Sequence, residues 1–309
     1  MTAWIKRGLV FDTLRQGVGG WMRHSALTPT PWRLDDATIR VYASFRDDEG
    51  VGRIGYVDLR ADRPEQLVRV SETPVLDVGR AGCFDDNGMI LGDLVDGPGG
   101  LHLFYVGFQR VARAKFLAFT GLAISNDGGE SFVRAQETPV LDRAPGRSSI
   151  AAIHSVVRED GLWRVWYAAG DGWESIAGQP YPRYHIRYLE TDDFAAKPLR
   201  DEACLLPRGN EYRIGRPRVY RQDGGYVMYF TRGDTRGGYF PGCATSVDGV
   251  RWERHDELFG LSLSERGWDS RTICYPALLQ QADRTLMFYN GNDMGVDGFG
   301  LAEAAHAGG

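Results

Sequence analysis

Five stretches of the chain share one pattern: a run of β-branched and aromatic residues around a central tyrosine, ending in a polar turn. They are IRVYASFRD, LHLFYVGFQ, WRVWYAAGD, YVMYFTRGD and LMFYNGND, with Tyr42, Tyr105, Tyr167, Tyr229 and Tyr289 at the shared position. The tyrosines stand 60 to 63 residues apart. Apolar runs bounded by Gly, Asn and Asp read as β-strands, and a fixed period of this kind marks a repeated module. A short strand precedes each tyrosine run (HSALTP, MILGDLV, AAIHSVV, RPRVY, YPALL) and a third follows it (GRIGYVDL, TGLAISND, YHIRYLE, GCATSVD, GFGLAEA). A fourth is clearest in QLVRV and SFVRA. No segment of useful length carries helical periodicity.

Four strands repeated five times predict an all-β fold, a five-bladed β-propeller of four-stranded antiparallel blades forming a single domain over residues 1–309. The spare N-terminal strand WIKRGLVFD completes the last blade, whose own sequence stops after three strands. Such closure removes the exposed edges that an open solenoid must protect. The run SETPVLDVG at Ser71 to Gly79 returns as QETPVLDRA at Gln136 to Ala144, and the reading makes it the connection from the outer edge of one blade to the inner strand of the next. SNDGGESF (Ser125 to Phe132) and SVDGVRW (Ser246 to Trp252) match the Asp-box turn, in which Asp and Gly satisfy backbone donors of a tight hairpin. Their role is read as structural.

Composition narrows the partners. The chain of 309 residues is 43% apolar and 25% charged, with a net charge of -5 that argues against nucleic acid. No run of 18 apolar residues and no signal-peptide pattern is present, so no membrane partner and a cytoplasmic location are expected. Cys83, Cys204, Cys243 and Cys274 are scattered, which predicts free thiols with neither a metal nor another cofactor. Lysine occurs only at Lys6, Lys115 and Lys197; the other cations are arginines.

In a four-stranded antiparallel blade the start of the first strand and the end of the second meet on one face, beside the central channel. The first-strand entrances supply Arg23 and His24, Asp85 and Asp86, Arg213 and Arg216, and Asp269 with Arg271. The second-strand exits supply Arg46, Trp173, Arg232, and Asn290 with Asn292. Polar groups converging on a concave surface mark a binding site. Guanidinium forks match phosphate and carboxylate, so the expected ligand is anionic: phosphate, a nucleotide sugar or an acidic sugar; the alternative for half of these arginines is pairing with Asp47, Asp86, Asp234 and Asp269 to hold the blades together. Trp173 and Tyr275 are placed to stack on a sugar face.

The strings RIGRPRVY, DGVRWER, GWDSRTICYP and LMFYNGNDMGVDGFGLA resemble the five-bladed propeller proteins related to arabinanases, invertases and β-mannoside phosphorylases. They are most similar to a glycosidase-related branch associated with bacterial surface-glycan gene clusters. The resemblance spans essentially the whole chain and implies a carbohydrate-active enzyme that cleaves or transfers a glycosidic bond. The arabinanase-like pattern has an Asp at the first entrance and a Glu before the Pro of the fourth; here those stretches read MRHSALTP and RIGRPRV, without either acid. Phosphorylase relatives need a single acid while basic side chains hold phosphate. In that reading Asp86 or Asp269 is the acid and Arg23, His24, Arg216 and Arg232 hold the anion; His154, on the third inner strand, reads first as a hydrogen-bonded core histidine and second as a group that assists. Binding or modification of a nucleotide-linked sugar without bond cleavage is the alternative, and a protein-interaction propeller is a third.

Overall fold

The computed structural model describes residues 4–16, 19–222, 224–236 and 238–305. Among them there is no α-helix, and twenty strands form five antiparallel meanders. The chain opens with β1 (Ile5–Phe11). The first meander is β2 (His24–Arg33), β3 (Thr38–Arg46), β4 (Gly52–Arg60) and β5 (Leu67–Val70). The second is β6 (Met89–Gly97), β7 (Gly100–Gln109), β8 (Leu117–Ser125) and β9 (Val133–Arg134). The third is β10 (Ile150–Glu159), β11 (Leu162–Ile176), β12 (Gln179–Thr191) and β13 (Arg200–Leu205). The fourth is β14 (Glu211–Gln222), β15 (Gly225–Asp234), β16 (Gly238–Ser246) and β17 (Glu253–Arg254). The fifth is β18 (Cys274–Gln280), β19 (Arg284–Asn290) and β20 (Phe299–Ala305), and β1 pairs with β20 as its fourth strand.

The first strands of the meanders touch in a cycle: β2 packs on β6, β6 on β10, β10 on β14, β14 on β18 and β18 on β2. Short parallel bridges between β8 and β10 and between β12 and β14 join the middle three meanders, and no hydrogen-bonded sheet among the described residues closes on itself. The repeated tyrosines sit in the second strands β3, β7, β11, β15 and β19 and are all buried. Apolar burial on both faces of these strands is the dominant stabilising term.

The ETPVLD repeat has a specific use. After β5 the chain crosses back, so that Val75 N–H donates to the Ile54 carbonyl at 2.8 Å and Leu76 bridges Ile54 on β4. After β9 the same string brings Val140 N–H to the Thr120 carbonyl at 2.8 Å and Leu141 to Thr120 on β8. Val75, Leu76 and Leu141 are buried there. The string thus extends the third strand's pairing beyond the short fourth strand.

Both Asp-box turns clasp the preceding meander. In the first, Ser125 Oγ accepts from Gly129 N–H at 2.8 Å and Asp127 from Ser131 N–H at 3.1 Å. Burial opposes ionisation of Asp127, but these bonds and those from the Ser125 and Ser131 hydroxyls hold its carboxyl down at about 2. The turn then meets the first meander, where the Tyr42 hydroxyl donates to the Gly129 carbonyl at 2.9 Å and Arg40 to Glu130 at 2.7 Å. The second turn meets the third meander alike: Trp166 Nε1 donates to the Gly249 carbonyl at 2.8 Å and Arg164 to the Asp248 carbonyl at 2.6 Å. A side chain on Gly129, at φ +84°, would lie 2.0 Å from the Tyr42 hydroxyl, so glycine is needed for both backbone and contact.

Candidate functional site

Register slips in every first strand, and the slips fall at corresponding places. The pairing skips between Leu27 and Thr30 on β2, Leu91 and Asp93 on β6, and Ile153 and Ser155 on β10. It skips between Gly215 and Arg218 on β14 and between Cys274 and Ala277 on β18. A bulge leaves a residue out of the ladder and re-aims its side chain. The residues so released are Thr28, Gly92, His154, Arg216 and Tyr275, and the last three line a cavity of about 560 Å³. Thr28, Arg216 and Tyr275 have φ of 58°, 55° and 55°, and each precedes a proline. Proline brings no N–H to the ladder, which suits the break. This X-Pro at the same module position is the sequence signal for three of the five bulges; Gly92 and His154 are followed by Asp93 and Ser155.

Arg216 is the centre of the site. It is buried, its Nη1 donates to the Leu91 carbonyl at 2.7 Å and to His154 Nδ1 at 3.2 Å, and its guanidinium lies 5.1 Å from the Tyr275 ring centre. Among the described residues no carboxylate lies within ion-pair distance of it. Desolvation pushes its pKa down to about 10, so it carries its charge at neutral pH. Burial, together with the charges of Arg216 and Arg218, pushes His154 well below the ordinary imidazole range and keeps it neutral. The bond from Arg216 assigns Nδ1 as acceptor and leaves Nε2 as the N–H donor.

Arg213, three residues earlier on β14, lies 4.6 Å from the ring centre of Tyr239, 4.9 Å from Tyr212 and 5.9 Å from Tyr181 and Tyr184. Its Nε is buried without a hydrogen-bond partner among the described residues. Tyrosine faces hold this cation without neutralising it. Arg46, Arg110 and Lys115 add three more cations to the lining, against a single carboxylate among the described residues, that of Glu49. The next arginine on β14 behaves differently: Arg218 pairs with Asp93 and donates to Thr30, tying the inner strands together.

Of the residues singled out from the sequence, Arg46, His154, Arg213, Arg216 and Tyr275 line the cavity; the others do not. Asp269 is 2% exposed, held by Lys6 Nζ at 2.6 Å and the Tyr289 hydroxyl at 3.0 Å. Asp86 accepts from Gly82 N–H and Asn87 Nδ2, each at 2.8 Å, and its neighbour Asn87 reaches the lining. Asp85 takes Arg134 Nε at 2.8 Å. Arg232 faces Glu211 at 3.2 Å, Arg271 faces Asp293 at 2.6 Å and Arg23 faces Asp48 at 3.3 Å. His24 Nε2 contacts the Asp47 carbonyl at 2.9 Å. Asn290 and Asn292 serve the backbone: the first accepts from Thr28 N–H and donates to the Ala26 and Gly298 carbonyls, and the second accepts from Arg271 and Thr272 N–H. Trp173 packs edge-on against Phe116, itself in the lining. Sequence reasoning missed Tyr181, Tyr184 and Tyr239, along with Lys115 and Phe116. Only the rarity of lysine marked any of these. No cluster of three or more metal-ligating side chains occurs among the described residues, and no helix of the described residues is long and apolar enough to cross a membrane.

No family model matches the chain. It is 29% identical over 301 residues to the uncharacterized protein Rv1502 of Mycobacterium tuberculosis, covering 97% of this chain and 98% of that one. Among solved structures it is similar to a glycoside hydrolase at a TM-score of 0.75 and 16% identity, with 99% of this chain and 93% of that chain covered. A second belongs to work on the GH130 family of mannoside phosphorylases, which contains glycoside hydrolases that target β-1,2 mannosidic linkages in Candida mannan. It gives a TM-score of 0.66 at 17% identity, covering 99% of this chain and 93% of that chain. A thermostable family-43 glycoside hydrolase gives 0.65 at 12% identity, covering 94% and 95%. At these identities the likeness is one of fold.

Proposed function

We propose that the protein is a five-bladed β-propeller, closed by its N-terminal strand, and that it acts on a sugar that carries or meets an anionic group in the central cavity. The observation that carries this reading is Arg216, a buried guanidinium facing the cavity without a carboxylate partner among the described residues. A buried charge is normally paired, and an anionic ligand supplies the missing partner. Arg213 beside it and the Nε2–H of His154 extend the same acceptor-seeking surface. The tyrosine-rich walls suit a sugar ring, and the likeness in fold to glycoside hydrolases supports a carbohydrate substrate.

The supply of acids favours transfer to an anion over hydrolysis. Hydrolysis calls for two carboxyl groups across the scissile bond, whereas the lining holds Glu49, with Asp86 beside the lining Asn87. In phosphorolysis an oxygen of phosphate bonds to the anomeric carbon, the glycosidic C–O bond breaks, and one acid protonates the departing oxygen. We assign that proton to Glu49, the carboxyl in the lining among the described residues; Asp86, bound by Gly82 and Asn87 outside the lining, and Asp269, engaged by Lys6, have no place in the step. The cations Arg46, Arg110 and Lys115 favour a second reading, a nucleotide-linked sugar held at two anionic groups and modified without cleavage.

A thermal-shift series with inorganic phosphate, nucleotide sugars, uronic acids and neutral disaccharides separates these readings, because a ligand that binds only the folded state raises the melting temperature. Phosphate is expected to stabilise the protein, less so at high salt, and Arg216→Gln is expected to abolish the effect. No response to phosphate, or an unchanged response in Arg216→Gln, sinks the anionic reading. A larger response to nucleotide sugars, with no glycosidic product, selects the second.

A further inference from the structure

One wall of the cavity is built from an extension that the other modules lack. Pairing of the second and third strands ends at Arg46 with Gly52 in the first module, at Gln109 with Leu117 in the second, at Asp234 with Gly238 in the fourth and at Tyr289 with Gly300 in the fifth. In the third module the ladder slips between Ala169 and Gly172 and then continues from Gly172 opposite Arg183 to Ile176 opposite Gln179. This ribbon brings Tyr181 into the lining and places Trp173 beside it. The connection 110–116 of the second module meets the ribbon from the other side. Phe116 packs edge-on against Trp173 at 5.8 Å and against Phe108 at 5.1 Å, and the Lys115 ammonium lies 5.2 Å from the Tyr181 ring centre.

Phe116 is thus fixed between two rings, and both it and Tyr181 stay half-buried in the lining. Partly exposed aromatic rings in fixed orientation offer apolar faces to the C–H surface of a sugar, and rigid rings lose little entropy on binding. Arg213 lies 5.9 Å from the Tyr181 ring centre, which puts this aromatic wall beside the cationic floor.

We infer that Phe116 and Tyr181, presented by the ribbon and the 110–116 connection, form the sugar-recognising subsite of the cavity, so that the ligand is a sugar joined directly to its anionic group. The inference rests on the anionic reading given above. It assigns the anion to Arg216 and Arg213 and the selection of the sugar to the two rings.

The test compares inorganic phosphate with the 1-phosphates of glucose, galactose and mannose, by calorimetric titration of the intact protein. At least one hexose phosphate is expected to bind more tightly than phosphate. Phe116→Ala, which removes a ring that touches neither arginine, is expected to lower that affinity about tenfold while leaving phosphate binding unchanged, and Tyr181→Phe, which keeps the ring beside Arg213, to retain it. Wild-type protein that ignores phosphate refutes the anionic reading itself and this inference with it. Phosphate binding with no gain from any hexose overturns the subsite alone. An equal loss for phosphate and hexose phosphate in Phe116→Ala, or no loss, likewise overturns it.

Discussion

A guanidinium withdrawn from water usually takes a carboxylate with it, as Arg40 does with Asp58 at 2.8 Å. Arg216 instead has a carbonyl, a neutral imidazole and a tyrosine face. Such an arrangement lowers the stability of the empty protein while leaving the charge available to a ligand, the usual tension between site and scaffold. Arg216→Met, of similar length and without charge, is therefore expected to raise the melting temperature of the ligand-free protein by roughly 2 °C, or about 1 kcal/mol, as scanning calorimetry measures. A lowered melting temperature would mean that the bonds to Leu91 and His154 outweigh desolvation. The sequence marks this position, since RIGRPRV carries arginine before proline where the resembling pattern has Glu. It does not show which way the side chain turns, because that depends on a bulge and a φ of 55°. Nor does it show which charges are already taken. The sequence leaves Asp269 open between an acid and an arginine's partner, and Arg232 between an anion ligand and an ion pair; Asp269 is found with Lys6, 263 positions away, and Arg232 with Glu211.

The strands were legible because their cause is local: β-branched and aromatic runs around a buried tyrosine, repeated at a fixed period. The ribbon was not, since its outer part, GWESIAGQPYPR, lacks alternating apolar positions and reads as a loop rich in Gly and Pro. The Asp-box turns were legible as turns, but their service as clasps between meanders was not, because the partners lie in another module. The first clasp can be titrated. Burial raises the pKa of Glu130, yet hydrogen bonds from Tyr56, Arg40 and Arg69 prevail and hold it down at about 2, below the ordinary value of 4.5. A depressed carboxyl stabilises the fold fully above the unfolded value, and that contribution is lost as the pH falls from about 4.5 through about 2. Glu130→Gln is expected to lower stability at pH 7 and to differ less and less from the wild type below pH 4.5, in urea unfolding followed at several pH values. With its side chain 44% exposed, solvent screening keeps the effect within about 1 kcal/mol. A deficit that persists unchanged at pH 2 would assign it to packing instead.

At the scale of the molecule, the first and last strands of the chain lie side by side, with Ile5 opposite Glu303 and Phe11 opposite Phe299. The Phe11 ring sits 5.8 Å from Phe299 and 5.9 Å from Phe45 of the first meander, so one fully buried side chain joins the fifth module to the first. Phe11→Ala is expected to cost about 3–5 kcal/mol in urea unfolding; a loss below about 1 kcal/mol would show that this junction does not govern cooperativity. The spare N-terminal strand was readable because the last module falls one strand short, an argument from counting that needs no tertiary contact. That pairing also sets a timetable. β1 leaves the ribosome before its partner strand, which follows nearly three hundred residues later, roughly 15–60 s at about 5–20 residues per second. Throughout that interval the apolar half of IKRGLVF is an unprotected edge of the kind that recruits other chains. Lys6 and Arg7 flank it with the charges that discourage such pairing. Once β20 arrives they find Asp269 and Glu303, so two residues that guard the nascent chain become fastenings of the finished one.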